Sequence, residues 1–395
     1  MVRQLLEGTM LVRRYRIGVL PGDGIGREVI PESVRVLKRL RDLKGIDLSF
    51  SVFDCGGETY LKTGREWSPE AEGYVKQEAD AVLLGAVGAN HPDGSPVRLP
   101  DGNLAGYNVV IGLRMELDLY ANVRPVRLFD GVVSPLGSKR PQDINMVIIR
   151  ENTEGLYVPV RGVLQRGGSS EMAADVRIIT RAGAERVIRF AFNMAARRNG
   201  APIDGVRRVT CVDKSNLLAG CQLFRNVFKE VSGDYPDVQP HYAYVDSWMQ
   251  WCVRTPERFD VVVAPNEFGD IMTDLGAAIQ GGMGIAPAGN IGDKHAVFEP
   301  VHGSAPSHYG KRESNPIASI LAGAMMLDWL GSTSADKRCS EAATMLNRSV
   351  ENVLKDGRIR TYDLCVGPYS GVRPSSTDQV TDAIIDELGR LAESM

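Results

Sequence analysis

The sequence predicts an α/β protein with mostly parallel or mixed sheets flanked by helices. Two observations carry this. Short buried runs of β-branched and aliphatic residues, such as Ala81-Val82-Leu83-Leu84 and Asp260-Val261-Val262-Val263-Ala264, recur along the chain. Between them lie longer segments with helical periodicity, and this alternation is the pattern of α/β folds. A third observation limits the subclass. Gly22-Asp23-Gly24-Ile25-Gly26 follows a strand and opens a helix, but position 27, where GxGxxG needs its third glycine, is Arg27. Asp23 would also set a negative charge where a pyrophosphate binds. The segment therefore reads as a tight turn packed near a cofactor, and the fold as not Rossmann.

The elements follow in order. Arg16–Leu20 is a strand, and Arg27 to Leu43 a helix. Leu48 to Phe53 alternates as a strand does, and Ala81 to Gly85 is a buried one. Asn90 to Ala105, rich in Gly, Pro and Asp, is a loop. A helix is expected from Val109 to Leu119, a strand from Ile144 to Ile149, and an amphipathic helix from Arg181 to Arg197. Val206 to Val212 and Asp260 to Ala264 are further strands. Asn315 to Trp329 is an apolar helix, and Gln379 to Met395 a terminal one.

With 395 residues, 43% of them hydrophobic and 24% charged, the composition is that of a soluble globular protein. A net charge of −3 gives no electrostatic case for nucleic acid or an anionic membrane. No apolar run reaches the ~18 residues of a spanning helix. Met1 to Tyr15 is too mixed for a signal-peptide core, and Met10 is a second candidate start. The six cysteines form no CxxC pair, which suggests reduced thiols and a cytoplasmic location.

The chemistry centres on Asn266-Glu-Phe-Gly-Asp270-Ile-Met-Thr-Asp274. Asp270 and Asp274 are four apart, so on a helix they share a face and repel. Something cationic should sit between them, and a hard divalent cation such as Mg²⁺ or Mn²⁺ prefers carboxylate oxygens. Arg114, Arg124 and Arg150 supply guanidinium forks that suit a polyacid.

Together with Arg150-Glu-Asn-Thr-Glu-Gly-Leu-Tyr157, Asp213-Lys214-Ser215-Asn216, Asp246 and Glu299-Pro-Val-His302-Gly-Ser-Ala-Pro306, these residues resemble the β-decarboxylating dehydrogenases. That family includes isocitrate, homoisocitrate, 3-isopropylmalate and tartrate/D-malate dehydrogenases. The resemblance runs from about Ile17 to Leu330. It implies a two-domain isopropylmalate-dehydrogenase-like fold. One domain is discontinuous (1–119 plus 283–395) and lies on the cofactor side; a central domain (120–282) makes a homodimer with shared active sites.

By the same resemblance, Arg114, Arg124 and Arg150 would hold the carboxylates of a hydroxy-diacid. Asp270 and Asp274 would bind Mg²⁺ or Mn²⁺, with Asp246 supplied by the neighbouring subunit. Lys214, from that neighbour too, would act as base in oxidation at C2, and Tyr157 would protonate C3 after loss of CO₂. Gly303, Ser304 and Ala305, after His302, would meet NAD or NADP; Asn315 would reach the adenine; Asn216 and Glu299 would lie near the nicotinamide. Members using NAD usually carry an acid after the HGSAP run. This chain has Ser307 and then His308, which removes a repulsion against a 2′-phosphate, so both dinucleotides stay open.

By the same resemblance, the helix before Arg114 would read the substrate side group. Isocitrate enzymes place Ser and Asn where this chain has Asn108 and Val110. Isopropylmalate enzymes have apolar residues at Val110 and Ile111, and a Glu at Tyr107. The expectation is a 3-substituted malate such as 3-isopropylmalate, or D-malate or tartrate, with isocitrate or homoisocitrate as the alternative. Two other classes fit the sequence less well. A non-catalytic regulatory subunit would have lost the lysine, tyrosine or aspartates, all of which are present. A phosphate-handling protein would carry GxxxxGK[ST], and none occurs.

Overall fold

The computed structural model describes residues 13–394, so the Met10 alternative start lies outside the described residues. Twelve strands are present among them: β1 (Arg14–Leu20), β2 (Asp47–Val52), β3 (Ala81–Leu84), β4 (Ala121–Arg127), β5 (Asn145–Glu151), β6 (Arg161–Arg166), β7 (Ser169–Asp175), β8 (Arg208–Asp213), β9 (Gln239–Tyr244), β10 (Val261–Ala264), β11 (Pro287–Ile291) and β12 (Ala296–Pro300). Ten of them form one sheet in the order β2-β1-β3-β12-β11-β4-β5-β10-β8-β9. The sheet is mixed. β11 runs antiparallel to β12 and β4, and β4 antiparallel to β5, while both flanks are parallel.

The sheet joins distant parts of the chain at its centre. β4 and β5 come from residues 121–151, and their neighbour β11 from 287–291. β3 and β10 read as continuous apolar runs because helices cover both faces there, and every residue in each is buried. The first long helix, Gly26–Lys44, buries Val29, Ile30, Ser33, Val36, Leu37 and Leu40 at three-to-four spacing. It stops at Gly45, whose φ of 62° lets its N–H reach the Arg41 carbonyl. Helix Ile317–Ser334 is apolar on nearly all sides, and packing against that first helix, β11 and β12 removes it from water.

Some segments match the sequence reading only in part, and others add to it. The expected helix from Val109 to Leu119 is shorter: a π-turn over Asn108–Gly112 runs into Leu113–Glu116, and Asp118 at φ 50° ends it. A wide first turn of this kind often marks a functional position. The Asn90 to Ala105 loop is tied down by bridges Asn90↔Pro96 and Arg98↔Leu104. A hairpin of β6 and β7 was not foreseen. Its signal was Gly167-Gly168, both at positive φ, flanked by Val163, Leu164 and Met172. Every residue of both strands is exposed.

Candidate active site

The site forms where β4 and β5 meet the helix Asn266–Ile279 that follows β10. Register decides which arginines face it. Asn122 on β4 lies opposite Arg150 on β5, so Arg124, two residues along, shares the face of Arg150. Gly269 lets the helix approach β5, since a Cβ there would lie 2.6 Å from the Cβ of Arg150. The close approach lays Asp270 onto the Arg150 guanidinium, which pairs with it.

Arg124 fills the place between the two aspartates, 3.7 Å from an oxygen of each. It also donates to Asn122 Oδ1 at 2.8 Å and Thr273 Oγ1 at 2.7 Å. Arg150 donates to Asn266 Oδ1 at 2.9 Å. Arg114 donates to Glu299 Oε1 at 3.1 Å. A buried amide chain connects these cations: Asn122 donates to Asn290 Oδ1 at 2.8 Å, and Asn290 donates to Glu299 Oε1 at 2.7 Å. Asn152 donates to the same Asn290 oxygen at 3.1 Å. Satisfied networks of this kind fix side-chain positions. Asn290, Asn122 and Thr273 were not singled out from sequence, because each looks like an ordinary strand or helix residue until register places it.

The electrostatics favour an anion. Burial pulls the Arg150 guanidinium below its ordinary value, and the charges of Arg114 and Arg124 push the same way. Arg124 is lowered by burial as well. A bound dianion would relieve that crowding. Tyr157 donates from its hydroxyl to Asp270 Oδ2 at 3.0 Å and stacks under the Arg150 guanidinium, 5.4 Å from the ring centre. Its phenol is raised by burial and by the Asp270 charge, so it stays protonated near neutrality.

The rest of the Arg150–Tyr157 motif builds the turn that presents these two residues. Glu151 accepts from the Thr153 and Glu154 amides at 2.8 and 3.0 Å, Asn152 donates to the Leu119 carbonyl, and Gly155 sits at φ 88° against Asn266.

The donor set was tested against a divalent cation. The Asp270 and Asp274 side chains are 36% and 59% exposed, above arginines only 3% and 10% exposed, so the carboxylates are open to an ion. Among the described residues no third acid, histidine or cysteine joins them. Asp246 instead pairs with Lys214 at the ends of β8 and β9. Two carboxylates fit a hard cation, which takes its remaining oxygens from water or substrate.

Of the residues expected at the dinucleotide, the Ser304 loop packs on the first turn. Asp23 is fully buried, and its carboxylate accepts from the Gly57, Glu58 and Gly88 amides at 2.7–2.8 Å. Gly24, at φ 52°, touches the Ser304 segment: a Cβ would lie 2.1 Å from the Ser304 carbonyl, which accepts from Ile25 N. Ala305 is held at φ 38°, unusual for a residue with a Cβ. Gly303 and Ser307 flank it on the same loop. His302 Nδ1 lies 3.0 Å from the Gly303 carbonyl, while its buried Nε2 has no partner. An orphaned buried polar atom beside strained backbone fits a ligand site. His308 stacks on Tyr362 and meets Glu313 at 2.9 Å. Asn315 donates to Asp363 Oδ2 at 3.0 Å. Asn216 is exposed on the turn after β8.

At the substrate end, Tyr107, Val110 and Ile111 line a cavity of about 470 Å³. Asn108 does not serve it. Its side chain is turned to Glu66, which also accepts from the Gly106 and Asn108 amides and so holds the π-turn. Glu66 was not foreseen, because nothing local links it to a turn forty residues on.

Comparison with known proteins agrees with this geometry. Residues 16–384 match the family described as isocitrate/isopropylmalate dehydrogenase. The chain is 40% identical to a 3-isopropylmalate dehydrogenase of Thermobifida fusca, over 89% of this chain and 96% of that one. It is 38% identical to a decarboxylating D-malate dehydrogenase of Escherichia coli, over 95% and 98%. Among solved structures, an isocitrate dehydrogenase from Methylococcus capsulatus superposes with a TM-score of 0.78 at 33% identity, covering 95% of this chain and 99% of that one. The ten-stranded mixed sheet, the matched span and these relatives together place the chain in the isocitrate/isopropylmalate dehydrogenase family.

Proposed function

We propose that this chain works as a homodimer with shared active sites, carrying out divalent-cation-dependent, NAD(P)-linked oxidative decarboxylation of a 3-substituted malate. Family membership makes it an oxidative decarboxylating dehydrogenase acting on a CH–OH group. The observation that supports the finer reading is the convergence of two buried guanidiniums, Arg124 and Arg150, on the Asp270/Asp274 pair, with Arg114 tied to them through Glu299 and the Asn290 amide. Arg114, Arg124 and Arg150 hold the substrate carboxylates bidentately. Asp270 and Asp274 hold Mg²⁺ or Mn²⁺, and Asp246 of a second copy completes the set. Bound there, the ion supplies Lewis-acid polarisation of the substrate oxygens.

Lys214, also contributed by the second copy, would accept the proton of the 2-hydroxyl, and a bound NAD(P) would supply the hydride acceptor. The Tyr157 phenol, kept protonated by its surroundings, donates to C3 after CO₂ departs. The exposed hairpin of β6 and β7 presents Val163 (57% exposed) and Met172 (58% exposed), which supports a second copy covering it. The division into 1–119 plus 283–395 and 120–282 is supported by strand order, since β4 and β11 meet where those segments join. Among the described residues no helix is long and apolar enough to cross a membrane, and the expected compartment is the cytoplasm.

The test is a spectrophotometric panel with Mn²⁺. NAD⁺ and NADP⁺ are each offered with 3-isopropylmalate, D-malate, tartrate, isocitrate and homoisocitrate. Mn²⁺-dependent reduction of a dinucleotide with release of CO₂ is expected for at least one substrate. No turnover on any of them, with folded dimeric protein, refutes the reading.

A further inference from the structure

Three asparagines are buried together beside the arginines of the cleft: Asn122 on β4, Asn290 on β11 and Asn152 just after β5. Register explains the grouping. Asn290 lies opposite Asn122, and Asn122 opposite Arg150, so these side chains share one face across three strands.

Asn290 is bonded on both sides. Its Oδ1 accepts from Asn122 at 2.8 Å and from Asn152 at 3.1 Å, and its Nδ2 donates to Glu299 Oε1 at 2.7 Å. The same Glu299 oxygen accepts from Arg114 Nη2 at 3.1 Å, while the buried Nε of Arg114 has no partner. On the far side, Asn122 Oδ1 accepts from Arg124 Nε at 2.8 Å. The side-chain hydrogen bonds that connect Arg114 to Arg124 therefore run through Glu299, Asn290 and Asn122. Arg114, Asn290 and Glu299 border one gap too narrow for water, walled by Leu84, Val109 and Leu113, and such a setting strengthens each polar contact. A short amide suits the position, because it accepts from two N–H groups and donates to a carboxylate at once.

We propose that Asn290 is a positioning residue for the reaction: without touching the substrate, it sets the separation of the Arg114 and Arg124 guanidiniums so that both engage one diacid. This rests on the function proposed above, in which those arginines bind the substrate carboxylates.

Two variants test it, assayed with the diacid that the parent protein turns over. Asn290→Leu keeps the volume and removes all three hydrogen bonds. KM for the diacid should rise about tenfold or more while kcat stays within about threefold, the split expected when binding alone is lost. Asn290→Asp keeps the acceptor for both asparagines and sets a second oxygen against Glu299 Oε1, so the two carboxyls share a proton. The charged groups around that pair are Arg114 and, through Asn122, Arg124. While the proton is held, the chain of bonds persists and KM should lie within about threefold of the parent's. Once it leaves, two anions face each other beside Arg114. KM should then climb about tenfold as pH rises through that single ionisation, a step the parent lacks. If the leucine variant fails to fold, the aspartate profile decides alone. Folded Asn290→Leu protein with an unchanged KM, or an Asn290→Asp profile parallel to the parent's from about pH 6 to 9, overturns the proposal and leaves the decarboxylase reading intact. Absence of turnover by the parent overturns both.

Discussion

Replacing Asp270 by asparagine separates two roles of one carboxylate. In this structure Asp270 neutralises Arg150, lies 3.7 Å from Arg124 and accepts from Tyr157. Asp270→Asn leaves Arg150 with no anionic partner, only the Asn266 oxygen and the Tyr157 ring, while Arg124 keeps Asp274 at 3.7 Å. Breaking a fully buried pair costs about 3–5 kcal/mol, and the part-exposed Asp270 brings this to roughly 2–4 kcal/mol. At an unfolding entropy of about 2.1 cal/mol/K per residue, that lowers Tm by roughly 2–5 °C for a chain this long. The second, proposed role is metal binding. Mn²⁺ at about 100 times its Kd should stabilise the parent protein by ~2.7 kcal/mol, a Tm gain of roughly 3 °C. The variant should lose that gain and at least ~10³-fold in turnover while remaining dimeric. Thermal scans with Mn²⁺ and with EDTA, beside the dinucleotide-reduction assay, read both effects. A variant with the full Mn²⁺ shift and near-parental turnover would refute the assignment.

Two further outcomes are expected. Gly24→Ala forces a Cβ into the Ser304 carbonyl at a left-handed φ, so it should cost about 2–4 kcal/mol by denaturant titration and raise the dinucleotide KM; an unchanged KM would detach this turn from the cofactor. Burial lowers His302 below its ordinary value, so the folded state disfavours its proton; the stability this contributes is present above about pH 6.5 and is lost as pH falls through the lower folded value. His302→Gln should therefore show a shallower fall in denaturant midpoint between neutral pH and pH 5 than the parent, and equal slopes would contradict this.

The site was legible where its chemistry is local. The i, i+4 spacing of Asp270 and Asp274 signalled a shared face, and Arg150 to Tyr157 is one continuous motif. What was not legible depends on strand register and on distant segments. Asn290 links Arg124 to Arg114 only because β11 pairs with both β4 and β12. Glu66 governs Asn108 across forty residues. The Asn90 to Ala105 segment is a loop, as read, while its internal order is not legible because it comes from Val97 packing and two aspartate turns, which leave no periodic signal. The expected helix end at Leu119 overshot because Asp118 takes a left-handed conformation. The hairpin at 161–175 was passed over since it buries nothing within its own chain, so it lacks the core-facing pattern by which strands are recognised.

The claim on which the mechanism turns is that one protomer's Asp270 site is completed by Lys214 and Asp246 of its partner. Mixing Asp270→Asn protomers with Lys214→Met protomers, each inactive alone, tests it. Random reassortment makes about half of all dimers mixed, each with one intact site, so roughly a quarter of parental activity should return. If mixed dimers form and activity stays absent, both residues act within one chain and the shared-site account fails.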